Sequence, residues 1–111
     1  TLLGQVTTTS PYGRKAEVEG YPAKMCELLS HNEGAAYICR TAVNSPSNII
    51  KTKKAIKKAF QTQAKGLGFS MVEVLSACPT NWGLSPADAM QWIEEHMIPY
   101  YPLGEFKVKG E

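Results

Sequence analysis

The chain has 111 residues, 43% of them hydrophobic, and a formal net charge of +2 at pH 7, the size and balance of one globular domain rather than of a protein built around polyanion binding. No apolar run approaches the roughly 20 residues that a membrane-spanning helix needs, and no charged-then-apolar leader opens the chain. Three widely spaced cysteines, Cys26, Cys39 and Cys78, match neither a secreted disulfide framework nor a C-x-x-C metal site, so the composition points to a reduced, cytoplasmic compartment.

Residues 1–20 lack helical periodicity and are rich in Thr, Gly and Ser. Ser10-Pro11-Tyr12-Gly13 reads as a turn, and the segment is expected to fray when nothing covers it. Pro22 then suits a first helical turn, with Met25, Leu28 and Leu29 forming an apolar i, i+3, i+4 face. This helix is expected to stop at 32–34, with Gly34 as a left-handed cap. A short, almost continuously apolar run over 35–43 predicts a strand buried on both faces.

Ser45-Pro46 opens a long helix, with Ser45 as cap and Pro46 at the first helical position. Its apolar side is predicted to be Ile49, Ile56, Ala59 and Phe60, and its lysines (51, 53, 54, 57 and 58) a solvated face. Gly66 and Gly68 close it, and residues 69–77 read as a second strand interrupted by Glu73, expected to face solvent or pair with a lysine. Ser85-Pro86 starts a third helix, which Pro99 and Pro102 are expected to break, leaving a polar tail over 105–111. Trp82 and Trp92 read as core or interface anchors, and His31 and His96 as surface or capping residues.

Strand, helix, strand with a crossover of this length makes a parallel βαβ unit. The flanking helices cover both faces of the sheet, a three-layer α/β architecture. Both strands then end on one edge, where open α/β sheets bind ligands. Two loops arrive there, Asn44-Ser45-Pro46 and the segment 78–83. The second offers a thiol, a hydroxyl, an amide and an indole.

From 66 to 104, GLGFSMVEVLSACPTNWGLSPADAMQWIEEHMIPYYPLG is similar to the closing stretch of beta subunits of 2-oxoacid:ferredoxin oxidoreductases of the 2-oxoglutarate and 2-oxoisovalerate type. LLGQVTTTSPYGR (2–14) resembles a cofactor-side loop of those subunits, and SPSNIIKTKKAIKKAF (45–60) their middle helix. The resemblance implies that 21–104 form the C-terminal portion of a thiamine-diphosphate-binding domain. It also implies that 1–20 form a cofactor-proximal loop, placing Thr8, Thr9 and Tyr12 near cofactor. Cys78 matches a [4Fe–4S] ligand of cluster-bearing relatives. The family's Gly-Asp-Gly and C-P-x-C segments, which serve magnesium, the diphosphate and the cluster, are absent from these 111 residues. The chain is therefore read as a fragment, inactive alone and self-associating in isolation.

In the intact enzyme the implied reaction is oxidative decarboxylation of a 2-oxoacid. Coenzyme A takes the acyl group and electrons pass to ferredoxin, with alpha, gamma and other subunits as partners and neither nucleic acid nor membrane involved. The competing readings are a stand-alone α/β protein-interaction module with a basic helix, and a nucleic-acid-binding domain led by the same lysines. The latter is disfavoured because aromatics are not interleaved with the basic residues.

Overall fold

The computed structural model describes residues 1–109. The end of the expected polar tail, residues 110–111, lies outside the described residues. In chain order the elements are α1 (Ala16–Glu19), α2 (Met25–Ser30), β1 (Ala35–Ala42), α3 (Pro46–Ala64), β2 (Phe69–Leu75), α4 (Pro79–Trp82) and α5 (Pro86–Trp92). A π-helical turn (Ile93–Met97), α6 (Ile98–Tyr100) and β3 (Gly104–Val108) follow.

The β1–α3–β2 unit forms as expected, with the two strands parallel and Arg40 opposite Glu73. The tail, read only as polar from residue 105, contributes a strand: β3 pairs antiparallel with β1. The sheet is therefore mixed, in the order β2-β1-β3. All of β1 is buried because it is the central strand and both faces are covered. On one face Tyr37 and Cys39 meet Ala55 of α3, with Ala59 and Val72 beside them. On the other, Ile38 packs with Cys26 of α2, Leu29, Met71 and Phe106. Farther along that face, Ala42 and Leu75 meet Ile93 and Tyr101. Helices on both sides give the three-layer α/β arrangement.

Both main helix starts follow their local signals. Asn48 N–H donates to Ser45 Oγ at 3.2 Å, and Asp88 N–H donates to Ser85 Oγ at 3.2 Å, each satisfying an amide that the first turn leaves unpaired.

The buried faces differ from the periodicity. Helix α2 buries Cys26 and leaves Leu28 63% exposed. Helix α3 buries Thr52, Ala55 and Thr62, whereas Ile49 and Ile56 are exposed and Phe60 is 73% exposed. Small side chains let α3 lie close to the sheet, and its threonines satisfy their hydroxyls on backbone. Thr52 Oγ1 donates to Ala42 O at 2.9 Å, and Thr62 Oγ1 donates to Lys58 O at 2.8 Å.

Strand β2 is shorter than expected and only half-buried, because it lies at the edge of the sheet. Gly34 is not the left-handed cap, since its φ is not positive; α2 ends through His31 in a right-handed conformation. The demanding glycine is Gly68, at φ +145°, where a Cβ would come within 2.5 Å of Gly34 O. The strand starts approach there, and Phe69 N–H donates to that carbonyl.

Pro99 does not end its helix. It has no N–H to donate, and its ring would clash with the carbonyl of residue 95 in a regular α-helix. The chain widens instead into the π-helical turn, where Ile98 N–H reaches Ile93 O, and α6 carries the axis through the proline.

Candidate functional site

The two strand-end loops do meet on one edge. Val43 N–H donates to Leu75 O at 3.1 Å, joining the ends of β1 and β2. The Asn44 amide donates to Glu94 Oε2 at 2.9 Å, and the Asn48 amide donates to Asn44 Oδ1 at 2.8 Å, so the first loop is fixed against the π-helical turn. The second loop folds into α4. Pro79 occupies its first turn, Gly83 closes it in a left-handed conformation at φ 69°, and Leu84 N–H donates to Pro79 O at 2.9 Å.

Residues 1–14 arrive from the other end of the chain and are bonded to this loop. Thr8 N–H donates to Asn81 O at 3.0 Å, and the Thr8 hydroxyl donates to the Asn81 side-chain oxygen. Thr7 is buried. Its backbone and hydroxyl close a tight turn with Ser10, and its Oγ1 lies 3.3 Å from that of Thr9. Gly4 N–H donates to Arg14 O at 2.8 Å, folding the segment back on itself. The structure thus brings Thr8 against the Cys78–Gly83 loop and places Thr9 one turn away. Tyr12 projects into solvent, 90% exposed.

Between this segment and the helices lies a chamber of about 460 Å³, lined by Leu2, Leu3 and Val6 on one side and by Trp82, Trp92, His96 and Tyr100 on the other. The Trp82 and Trp92 rings lie 5.3 Å apart, and the His96 ring is 5.0 Å from Trp92. Such a space holds an apolar or planar group against aromatic faces, with an imidazole edge to orient it. Trp82 packs against the core as the sequence suggested, and Trp92 is half-buried beside it. His96 belongs to the same wall, which its position near a helix end had not indicated.

Cys78 is exposed at the start of α4. Cys26 and Cys39 are buried. Burial and a hydrogen bond to Glu73 push the Cys26 thiol up to about 12, and burial raises Cys39 as well, so both stay protonated and unreactive. Among the described residues, no group of three or more His, Cys, Asp and Glu side chains is placed to hold a metal ion.

Sequence reasoning missed Arg40. It lies inside an apolar strand and is 1% exposed, yet all its donors are satisfied. Nη2 and Nη1 donate to Glu27 at 2.6 and 3.2 Å. Nε and Nη2 donate to Glu73 Oε2 at 3.3 Å, and Nη1 also donates to Pro102 O at 3.2 Å. Tyr101 and Phe106 flank the guanidinium, each 5.1 Å away. Cys26 Sγ–H donates to the same Glu73 oxygen at 3.1 Å. Glu73 therefore pairs with an arginine across the sheet, where a lysine or open solvent had been expected. Burial alone would lower the Arg40 pKa, but the bonds to its carboxylates raise it. The guanidinium in turn holds Glu27 below the usual carboxylate range.

The chain is 40% identical over 107 residues to the ketoisovalerate oxidoreductase subunit VorA of Methanothermobacter marburgensis, covering 96% of this chain and 22% of that protein. It is 32% identical over 105 residues to the 2-oxoglutarate synthase subunit KorB of Methanocaldococcus jannaschii, covering 86% of the chain and 36% of the relative. It is 28% identical over 91 residues to the pyruvate synthase subunit PorB of Methanothermobacter thermautotrophicus, covering 82% of the chain and 29% of the relative. The chain thus spans well under half the length of each. No family model matches it, and no solved structure does.

Proposed function

Because the chain belongs to the 2-oxoacid oxidoreductase subunit family, we propose that it forms the C-terminal portion of the thiamine-diphosphate-binding domain of a 2-oxoacid:ferredoxin oxidoreductase beta subunit. The intact complex, with its alpha, gamma and other subunits, decarboxylates a 2-oxoacid, transfers the acyl group to coenzyme A and passes the electrons to ferredoxin. The observation that carries this reading is the near end-to-end likeness to a ketoisovalerate oxidoreductase subunit.

Thiamine diphosphate with magnesium and a [4Fe–4S] cluster supply the carbanion and electron-transfer chemistry in such an enzyme. The described residues do not house either group by themselves. Cys78 is a single exposed thiol, and no acidic or cysteine cluster stands beside it. In this reading Cys78 adds one ligand to a cluster completed by other segments. By the same reading Thr8, Thr9 and Tyr12 of the opening segment approach the cofactor in the intact subunit, which the bond from Thr8 to Asn81 supports by seating the segment against the strand-end loop.

The test is the full-length gene product assembled with its partner subunits and cofactors. It is assayed for coenzyme A-dependent reduction of a viologen dye with 2-oxoisovalerate, 2-oxoglutarate and pyruvate. Turnover of at least one 2-oxoacid is expected, with none from the 111-residue chain alone. A fully assembled, cofactor-loaded complex that oxidises none of the three would overturn the reading.

A further inference from the structure

Residues 3–14 leave and rejoin the body of the molecule at almost the same point. Leu3 and Arg14 form a parallel β-bridge. Gly4 N–H donates to Arg14 O at 2.8 Å, and Arg14 N–H donates to Gln5 O at 3.3 Å. A surface loop of this length whose ends touch is an Ω-loop, a form that often carries function. Burial does little to hold it. Leu2, just before the loop, packs beside Leu75 and Ile93, but Leu3, Val6 and Tyr12 are exposed. A segment with so few apolar contacts depends on its polar ties for its seat.

The Arg14 side chain supplies three of those ties. Nε donates to Gly20 O at 3.0 Å, Nη1 donates to Thr1 O at 3.1 Å, and Nη2 donates to Glu19 O at 3.2 Å. Thr1 precedes the loop, whereas Glu19 and Gly20 end α1 after it. One planar cation therefore spans both stems, and its five donors in a fixed fork suit it to several carbonyls at once. Arg14 does not itself line the chamber, whereas Leu2, Leu3, Gln5 and Val6 do.

We propose that Arg14 is the positioning residue of the strand-end site. Its fork clamps the two stems, and the clamp keeps Thr8 on Asn81 and holds Leu2, Leu3 and Val6 opposite Trp82 and Trp92. The clamp stands on this geometry alone; its consequence for turnover rests on the oxidoreductase reading.

Hydrogen exchange of the full-length gene product, assembled with its partner subunits and followed by mass spectrometry, tests the clamp. The Gly4 and Thr8 amides, bonded to Arg14 O and Asn81 O, report the loop, and the amides of β1 report the sheet. Arg14→Gln is expected to speed exchange at Gly4 and Thr8 at least about tenfold, the loss that one charge-assisted hydrogen bond represents. The β1 amides are expected to stay unchanged. Arg14→Lys is expected to behave like Arg14→Gln, since an ammonium cannot span three carbonyls in a plane. In the same complex, KM for the 2-oxoacid is expected to rise while kcat stays within about twofold, because a loosened wall weakens occupancy rather than chemistry. Unchanged exchange at Gly4 and Thr8 in Arg14→Gln, or full restoration by lysine, would overturn the clamp whatever the turnover. Faster exchange with KM and kcat both unchanged would overturn the positioning role. A wild-type complex inactive on every 2-oxoacid would sink the oxidoreductase reading instead, and the exchange rates would still decide the clamp.

Discussion

At the residue scale, Arg40 decides the most. A guanidinium removed from water is tolerable only when its donors are met, and here two carboxylates, a backbone carbonyl and two aromatic faces meet them. Arg40→Met leaves Glu27 and Glu73 without their cation and is expected to cost about 3 kcal/mol or more in urea unfolding. The same pair sets an acid limit. Arg40 holds Glu27 below its ordinary value of 4.5, so the native chain binds that proton less tightly than the unfolded chain does. The stabilisation is complete above about pH 4.5 and is lost as pH falls through the lowered native value. Arg40→Met should flatten this part of the acid profile. An unchanged profile and an unchanged midpoint would together show that the cluster is incidental.

None of that was legible in the sequence. Arg40 and Glu73 each look like an interruption in an apolar run, and 33 positions separate them. Only the parallel register across the sheet pairs them. The cysteines divided more cleanly than their spacing allowed one to say. A thiol reagent should label Cys78 rapidly in the native chain, and Cys26 and Cys39 only after denaturant is added. Rapid native labelling of all three would contradict the packing of α2 on β1.

At the scale of elements, local signals were readable and faces were not. The Ser-Pro starts of α3 and α5 formed as written because a cap depends on its own next few residues. Ser45→Ala is expected to cost about 1 kcal/mol for that reason, read as a lowered urea midpoint. Gly68→Ala should cost more. Its Cβ would need a strained positive φ and would press within 2.5 Å of a backbone oxygen, which cannot swing away as a side chain can. If Gly68→Ala proves milder than Ser45→Ala, the close approach of the strand starts is wrong. The buried faces of α2 and α3 were read only in part, with Leu29 and Ala59 on the core as expected, because burial depends on what packs opposite. Periodicity favoured Leu28, Ile56 and Phe60, whereas the sheet admitted Cys26, Thr52 and Ala55. The β3 strand was missed because it is short: Glu105, Phe106, Lys107 and Val108 do alternate, but four residues beside the chain's polar end do not separate a strand from a tail.

For the whole molecule, shape is the telling quantity. The Cα radius of gyration is 15.6 Å, against about 13 Å for a compact domain of this length. One principal extent is only 19 Å. A thin three-layer slab leaves apolar side chains without cover, among them Phe60, Val74 and Leu28. Its β2 edge presents unpaired backbone groups. The isolated chain is accordingly expected to form dimers or larger species by light scattering as concentration rises, and Val74→Lys on the open edge should shift it toward monomer. A monomer at every concentration would mean that these surfaces are adequately solvated. The architecture was legible at this scale because strand–helix–strand order dictates it, and the likeness to oxidoreductase subunits was legible from three separated segments.

The tryptophan wall also has an optical consequence. Trp82 and Trp92 are the only two tryptophans of the chain, and their rings sit 5.3 Å apart at an interplanar angle of 47°. Two indoles that close and that skewed share their excited states, which produces a paired positive and negative band in the ultraviolet circular dichroism spectrum. One ring belongs to the loop bonded to Thr8 and the other to α5, so the band pair reports how these two parts are seated. The chain carries its own label, and displacement of residues 1–14 can be followed by light alone.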